Sequence, residues 1–218
     1  MKETEILIYD NIQKTLVDAY LIESVPLDMI AKAGTEWVQV RQQHSDRCQQ
    51  QGLRCPEHTH WNWEDKAERS EMFSVIQTRF GIVCQNEIQG LMIVESAMDL
   101  AKLPPDKGKS ILCIKYLETA PHNIEIYANP RHYCGIGGLL VNAAIDYSRE
   151  QGCEGRIGLY ALPQAEQIYQ NWGMSRLGKD PAHQNLCYYE FTSQQARVFQ
   201  TRPDLLQNVS STSHPHTH

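Results

Sequence analysis

No apolar run in this 218-residue chain approaches the roughly 20 residues that a membrane-spanning helix needs, and Met1 to Tyr9 lacks the basic and apolar halves of a signal peptide. A cytoplasmic protein with no membrane partner is expected. Basic residues are the minority, 20 against 26 acidic, and they gather into no stripe. That speaks against nucleic acid as a partner. Cysteines are too scattered for a disulfide framework: Cys48, Cys55, Cys84, Cys113, Cys134, Cys153 and Cys187 are odd in number, and several sit in apolar strand-like runs. Reduced, mostly buried thiols are expected instead. Zinc spacing is lacking too, because six residues separate Cys48 from Cys55 and a single one separates His58 from His60. His214, His216 and His218 make at most a loose metal-binding tail, and no metal is expected. No segment repeats.

The chain does hold enough apolar sequence for one substantial core. A single domain is expected over residues 1–207, with a helical N-terminal part over 1–72, a main core over 73–192, and a polar, disordered tail over 208–218. Ile12, Leu16, Ala19 and Tyr20 predict a first helix over 11–21, and Pro26 starts a second whose Ile30, Ala33, Trp37 and Val40 share a face. The polar run 42–51 and the Cys55-Pro56-Glu57-His58 stretch read as loop. Asn62 caps a short helix through Glu71.

Strand signals follow. Phe80, Ile82 and Cys84 alternate, and Ile88 to Glu95 is an apolar run of strand length, which together predict a hairpin; Ser110 to Glu118 predicts a central strand. Arg156–Tyr160 and Leu186–Thr192 are further strands. Pro163 opens a helix that presents Ala165, Ile168, Tyr169 and Trp172 on one face, and Gly173 stops it.

Between them lies the stretch Asn-Pro-Arg-His-Tyr-Cys-Gly-Ile-Gly-Gly from Asn129, followed by a helix whose Ile136, Leu139, Leu140, Ala143, Ala144 and Tyr147 recur at helical spacing. Gly135, Gly137 and Gly138 let the backbone approach a ligand while the first-turn N–H groups point outward, which makes an anion cradle. A tight turn with no ligand uses the same residues.

The order of elements, with Gly135-Ile136-Gly137, resembles the GNAT superfamily of N-acyltransferases, whose signature runs Gln or Arg, two residues, Gly, any residue, Gly or Ala. His132 stands at the Gln/Arg position and Arg131 one place early. Downstream, Ala165, Tyr169, Gly173 and Met174 are similar to the family's later helix, and the resemblance covers residues 73–192. The strings Tyr116–Asn123 and Gly155–Leu159 look like a bacterial GNAT subgroup without assigned substrates.

The resemblance implies an α/β fold with a mixed, mostly antiparallel sheet flanked by helices, here with extra N-terminal helices. It implies acyl-CoA, by default acetyl-CoA, as co-substrate, with the pyrophosphate on His132, Tyr133, Cys134, Gly135, Ile136, Gly137 and Gly138. Tyr169 is then the candidate acid toward the leaving thiolate, because a phenol is protonated at neutral pH. Glu118, closing the central strand, is the candidate base, and His122 the second choice. Asn123 would orient either one. Trp61 and Trp63, with the loop 119–129, would wall a pocket for a primary amine of a small molecule or a peptide. Cys134 has no local partner that favours covalent catalysis. The competing reading is a non-catalytic acyl-CoA sensor or protein-interaction module. Monomer and homodimer both remain open.

Overall fold

Alternation of apolar side chains along the strands decides the architecture. In the computed structural model, which describes residues 2–52, 58 and 61–202, Phe80, Ile82, Met92 and Val94 join one core, whereas Val83, Leu91 and Ile93 join another on the opposite side. A sheet buried on both faces needs helices on both. One face carries α1 (Leu27–Gln50) and α2 (Trp63–Met72), and the other carries α3 (Ile136–Glu150), with α4 (Glu166–Trp172) and α5 (Ser193–Gln200) completing that layer.

The strands are β1 (Lys2–Asp10), β2 (Thr15–Glu23), β3 (Gln77–Cys84), β4 (Glu87–Leu100), β5 (Ser110–Thr119), β6 (Tyr133–Cys134), β7 (Ile157–Ala161), β8 (Ser175–Asp180) and β9 (Leu186–Phe191). They form one sheet of nine in the order β6-β1-β2-β3-β4-β5-β7-β9-β8 among the described residues. Only β5 and β7 run parallel; every other neighbouring pair is antiparallel. This is the mixed, mostly antiparallel sheet that the resemblance implies. Gly90 on β4 lets α3 approach closely, since a Cβ there would stand 2.6 Å from Ile136 Cγ2.

Two N-terminal expectations need correction. Residues 11–21 are not a helix: 11–14 turn between β1 and β2, with Asp10 Oδ1 accepting the N–H groups of Ile12 and Gln13 at 2.8 Å and Lys14 at φ 56°. Val17, Ala19 and Leu21 alternate inward as a strand, a period that the apolar Leu16 and Tyr20 on the outer face obscure. The N-terminal part therefore opens with a hairpin. Residues 42–50 are not loop either. They continue α1, whose inner stripe runs Ile30, Ala33, Trp37, Arg41, Ser45, Cys48.

Other expected elements are present. Asn62 caps α2 by accepting from Glu64 N at 2.9 Å and Asp65 N at 3.4 Å, and the 80–95 hairpin, the central strand and the helix after the glycine turn are all present. The described cysteines are free and buried. Strands β6 and β8 and helix α5 are additions. The 208–218 tail, Cys55 and His60 lie outside the described residues. No helix among the described residues is long and apolar enough to cross a membrane.

Candidate active site

The parallel pairing of β5 with β7 runs only from Leu112–Ile157 to Ile114–Leu159, yet β5 continues to Thr119. Just beyond, Ile93 stands opposite Tyr116 and Val94 opposite Ile114, leaving Lys115 as an extra residue in β5. The strands part there. The gap opens into a cavity of about 900 Å³. Leu117, Glu118 and Thr119 form one wall, Leu162 to Ala165 and Ile168, Tyr169 and Trp172 another, and Gly135 to Gly138 the end.

Gly135 caps α3 at φ 82°, a left-handed conformation that favours glycine, and no side chain caps the helix. The first-turn amides of α3, on the cavity wall, therefore keep their donors for a ligand, and the helix dipole adds positive potential there. A Cβ on Gly137 would stand 3.5 Å from the Trp172 ring and 3.9 Å from Leu117, ordinary contact distances.

The structure redistributes the expected cradle residues. Tyr133, Gly135, Ile136, Gly137 and Gly138 reach the wall, but His132 and Cys134 do not. His132 stacks on the Tyr133 ring with centroids 4.0 Å apart and faces Asp10 Oδ2 at 3.5 Å. Cys134 is buried in β6, paired with Tyr9 of β1. Burial pushes the Asp10 carboxyl up, but the Gln13 and Ile12 amides and then His132 hold it below its ordinary value. The basic side chain on the wall is the exposed Arg131, one residue earlier than expected.

Asn123 and His122 also part company. Asn123 lines the cavity, with Oδ1 accepting from Tyr133 N at 2.8 Å and Nδ2 donating to Gln89 Oε1 at 3.0 Å, so it ties the connection after β5 to the glycine turn. His122 instead lines a separate depression of about 170 Å³ with Trp37 and Tyr127, its Nε2 2.7 Å from Gln89 Oε1. It does not line the larger cavity. Burial holds its pKa below the ordinary value of 6.5. Since the folded state then resists a proton that the unfolded chain takes, stability falls as the pH drops below about 6.5. Urea unfolding at pH 7 and 5.5 is expected to show a smaller loss for His122→Asn than for the wild type, by less than about 1.4 kcal/mol per pH unit.

Glu118 is buried with both oxygens engaged: Arg41 Nη1 donates to Oε1 and Trp63 Nε1 to Oε2, each at 2.6 Å. Arg41 is wholly enclosed and also donates to the Trp61 carbonyl at 2.5 Å. Burial pushes the Glu118 carboxyl up, against the pull of Arg41, Trp63 and Lys66. Trp63 is not a pocket wall; it is fully buried in the α1–α2 core, edge-on to Trp37. Trp61 does line the cavity, and Lys66 Nζ sits 4.6 Å above its ring and 3.8 Å above that of Tyr116. Desolvation lowers Lys66 to about 8.

Tyr169 meets the cavity from α4, its ring edge-on to Trp172 at 5.6 Å. Burial raises its pKa to about 12, and no hydrogen bond to its hydroxyl forms among the described residues. The phenol stays protonated throughout the neutral range. Three further residues belong to the site: Arg41, His58 and Gln164. Arg41 was legible, as a charge on the apolar stripe of α1 one turn after Trp37. His58 and Gln164 carry no local signal, and both line the cavity.

No protein-family profile and no curated protein matches the sequence. Solved structures match in shape. A protein of Desulfovibrio desulfuricans named as an acetyltransferase of the GNAT family is 12% identical, with 80% of this chain and 99% of that chain covered and a TM-score of 0.52. A protein of the yellow fever mosquito Aedes aegypti named as arylalkylamine N-acetyltransferase 7 is 13% identical, with 87% and 94% covered and a TM-score of 0.52.

Proposed function

The chain has the fold of the GNAT acetyltransferases, and on that premise we propose that it is an acyl-CoA-dependent N-acyltransferase that moves an acyl group, by default acetyl, to a primary amine. The observation that carries the reading is that the first turn of α3, the parted β5 and β7 and Tyr169 all border one cavity. In this reading the pyrophosphate rests on the amides of Ile136, Gly137 and Gly138, with Arg131 adding a charge-assisted contact. The pantetheine lies between Leu117–Thr119 and Leu162–Ala165, along the β5 edge that β7 leaves unpaired. A backbone N–H of that edge polarises the thioester carbonyl. Attack by the amine expels the thiolate, and Tyr169 supplies its proton.

Tyr169→Phe is expected to lower kcat by about 100-fold, with the KM for acetyl-CoA nearly unchanged, in assays with acetyl-CoA and a panel of primary amines. An unchanged kcat would remove Tyr169 from the mechanism. The non-catalytic sensor reading draws on one observation, that both Glu118 oxygens are already engaged. It expects acetyl-CoA binding with no transfer to any amine.

A further inference from the structure

Glu118 is poorly placed to take a proton from an acceptor, but it faces a residue that is better placed. His58 Nε2 lies 3.7 Å from Glu118 Oε1, and both side chains line the cavity. The imidazole is buried and held from several sides. Its Nδ1 is 3.1 Å from the Gln164 amide nitrogen, its Nε2 is 3.2 Å from the Tyr127 hydroxyl, and its ring stands edge-on to Trp61 and Tyr127 at 6.2 and 6.0 Å. Gln164 follows β7, Tyr127 lies on the connection after β5, and Glu118 is the last residue but one of β5. Three parts of the chain thus converge on one ring.

We propose that His58 is the general base of the acyl transfer, with Glu118 as its positioning residue and Arg41 and Trp63 fixing Glu118 in turn. This rests on the acyltransferase reading. The neutral ring carries its proton on Nε2, toward Glu118 and Tyr127, and presents Nδ1 to Gln164 at the cavity wall. Once the Gln164 amide turns its N–H away from the single Nδ1 lone pair, an alkylammonium acceptor beside Trp61 gives a proton to Nδ1 and becomes the free amine, and His58 becomes the imidazolium. The Gln164 amide, by rotating, offers its oxygen to the new Nδ1–H. The amine attacks the thioester carbon, the C–S bond breaks, and the proton lost from the amide nitrogen balances the one that the CoA thiolate gains through Tyr169. His58 then releases its proton to solvent.

The same geometry explains why Glu118 is so fully satisfied. A carboxylate pinned at both oxygens keeps its charge in place beside Nε2 and stabilises the imidazolium without moving. Among the described residues, the charged and titratable groups around the ring include Glu118 on β5, Arg41 on α1, Lys66 on α2 and Tyr127 on the connection. His44 on α1 sits behind Tyr127, its ring centroid 4.9 Å away. Arg41 is neutralised by Glu118, and Lys66 faces the Trp61 and Tyr116 rings.

The test compares wild type, His58→Gln and Glu118→Gln on acetyl-CoA with whichever alkylamine of a panel the wild type acetylates fastest, and with aniline, which is uncharged at neutral pH. His58→Gln is expected to lower kcat/KM for the alkylamine by about 100-fold or more and to abolish the acidic limb of its pH profile, which added imidazole partly restores. Its loss on aniline is expected to be several-fold smaller, because no ammonium proton has to be removed. Glu118→Gln should shift the acidic limb to lower pH, since the imidazolium loses its carboxylate. An NMR titration of His58 in wild type and Glu118→Gln reads that shift without any acceptor. An unmoved titration overturns the pairing. A His58→Gln enzyme within threefold of wild type, or one equally impaired on both amines, overturns the base assignment. Calorimetry with acetyl-CoA separates the two readings: wild-type binding and transfer with an indifferent His58 overturn only the base. A wild type that neither binds acetyl-CoA nor acetylates any amine overturns both.

Discussion

Gly137→Phe is expected to weaken acetyl-CoA binding by at least about 100-fold, ~2.7 kcal/mol, while thermal unfolding moves by no more than a few degrees. Gly137 lines the cavity, and Trp172, Leu117 and Thr119 all stand at ordinary contact distance from where a Cβ would be. A phenyl group growing along that direction occupies the slot through which the pantetheine would reach the α3 amides, and the core beneath α3 is untouched. Gly137→Ala has room and should bind nearly as wild type. The neighbouring side chains divide in the same way. Arg131 lines the cavity, so Arg131→Ala should lose about tenfold. His132 is committed to Tyr133 and Asp10, so His132→Ala should lose less than about threefold. Calorimetric titration of the four variants reads the series, and equal losses at 132 and 137 would place the cradle elsewhere.

Arg41→Met should be the most destabilising single substitution proposed, by about 3–5 kcal/mol, a fall of roughly 10 °C in Tm for a chain of this length. Arg41 and Glu118 are enclosed together, with side-chain exposures of 0% and 3%, so removal of the guanidinium leaves a buried carboxylate with one donor fewer. Burial then raises the Glu118 pKa further in the variant's folded state. A carboxyl whose folded pKa lies above its unfolded value contributes its full share only at low pH. The deficit of Arg41→Met should therefore be small below about pH 4 and grow as the pH rises through the raised pKa. Arg41→Met combined with Glu118→Leu removes both charges and should recover most of the loss. Thermal unfolding at pH 4 and 7 checks the order. A neutral Arg41→Met at pH 7 would show that the pair does not hold α1 to the sheet.

The residues that were legible in the sequence are those whose role is local. The glycine turn before α3, the cap at Asn62 and the alternating strands β3, β4 and β5 each follow from chemistry within a few residues, and all are present. The first hairpin is hidden in the sequence because Ile12, Leu16, Ala19 and Tyr20 imitate a helical stripe, while the true period is the alternation of Val17, Ala19 and Leu21. The site was harder, because side-chain direction depends on contacts far along the chain. Arg131 rather than His132 reaches the cavity wall, because His132 stacks on Tyr133 and turns to Asp10, a residue 122 positions earlier. Glu118 lies one residue before the end of the central strand, yet its partners come from α1 and α2, and nothing near Glu118 in sequence announces them.

Every proposed role rests on acyl-CoA occupying the cavity at the parted strands. Titration of the wild-type protein with acetyl-CoA in a calorimeter tests this most directly. One saturable site with Kd on the order of 1–100 µM, competed by free CoA and lost in Gly137→Phe, is the predicted result. No detectable heat or saturation at millimolar acetyl-CoA, or binding that Gly137→Phe leaves intact, would contradict it.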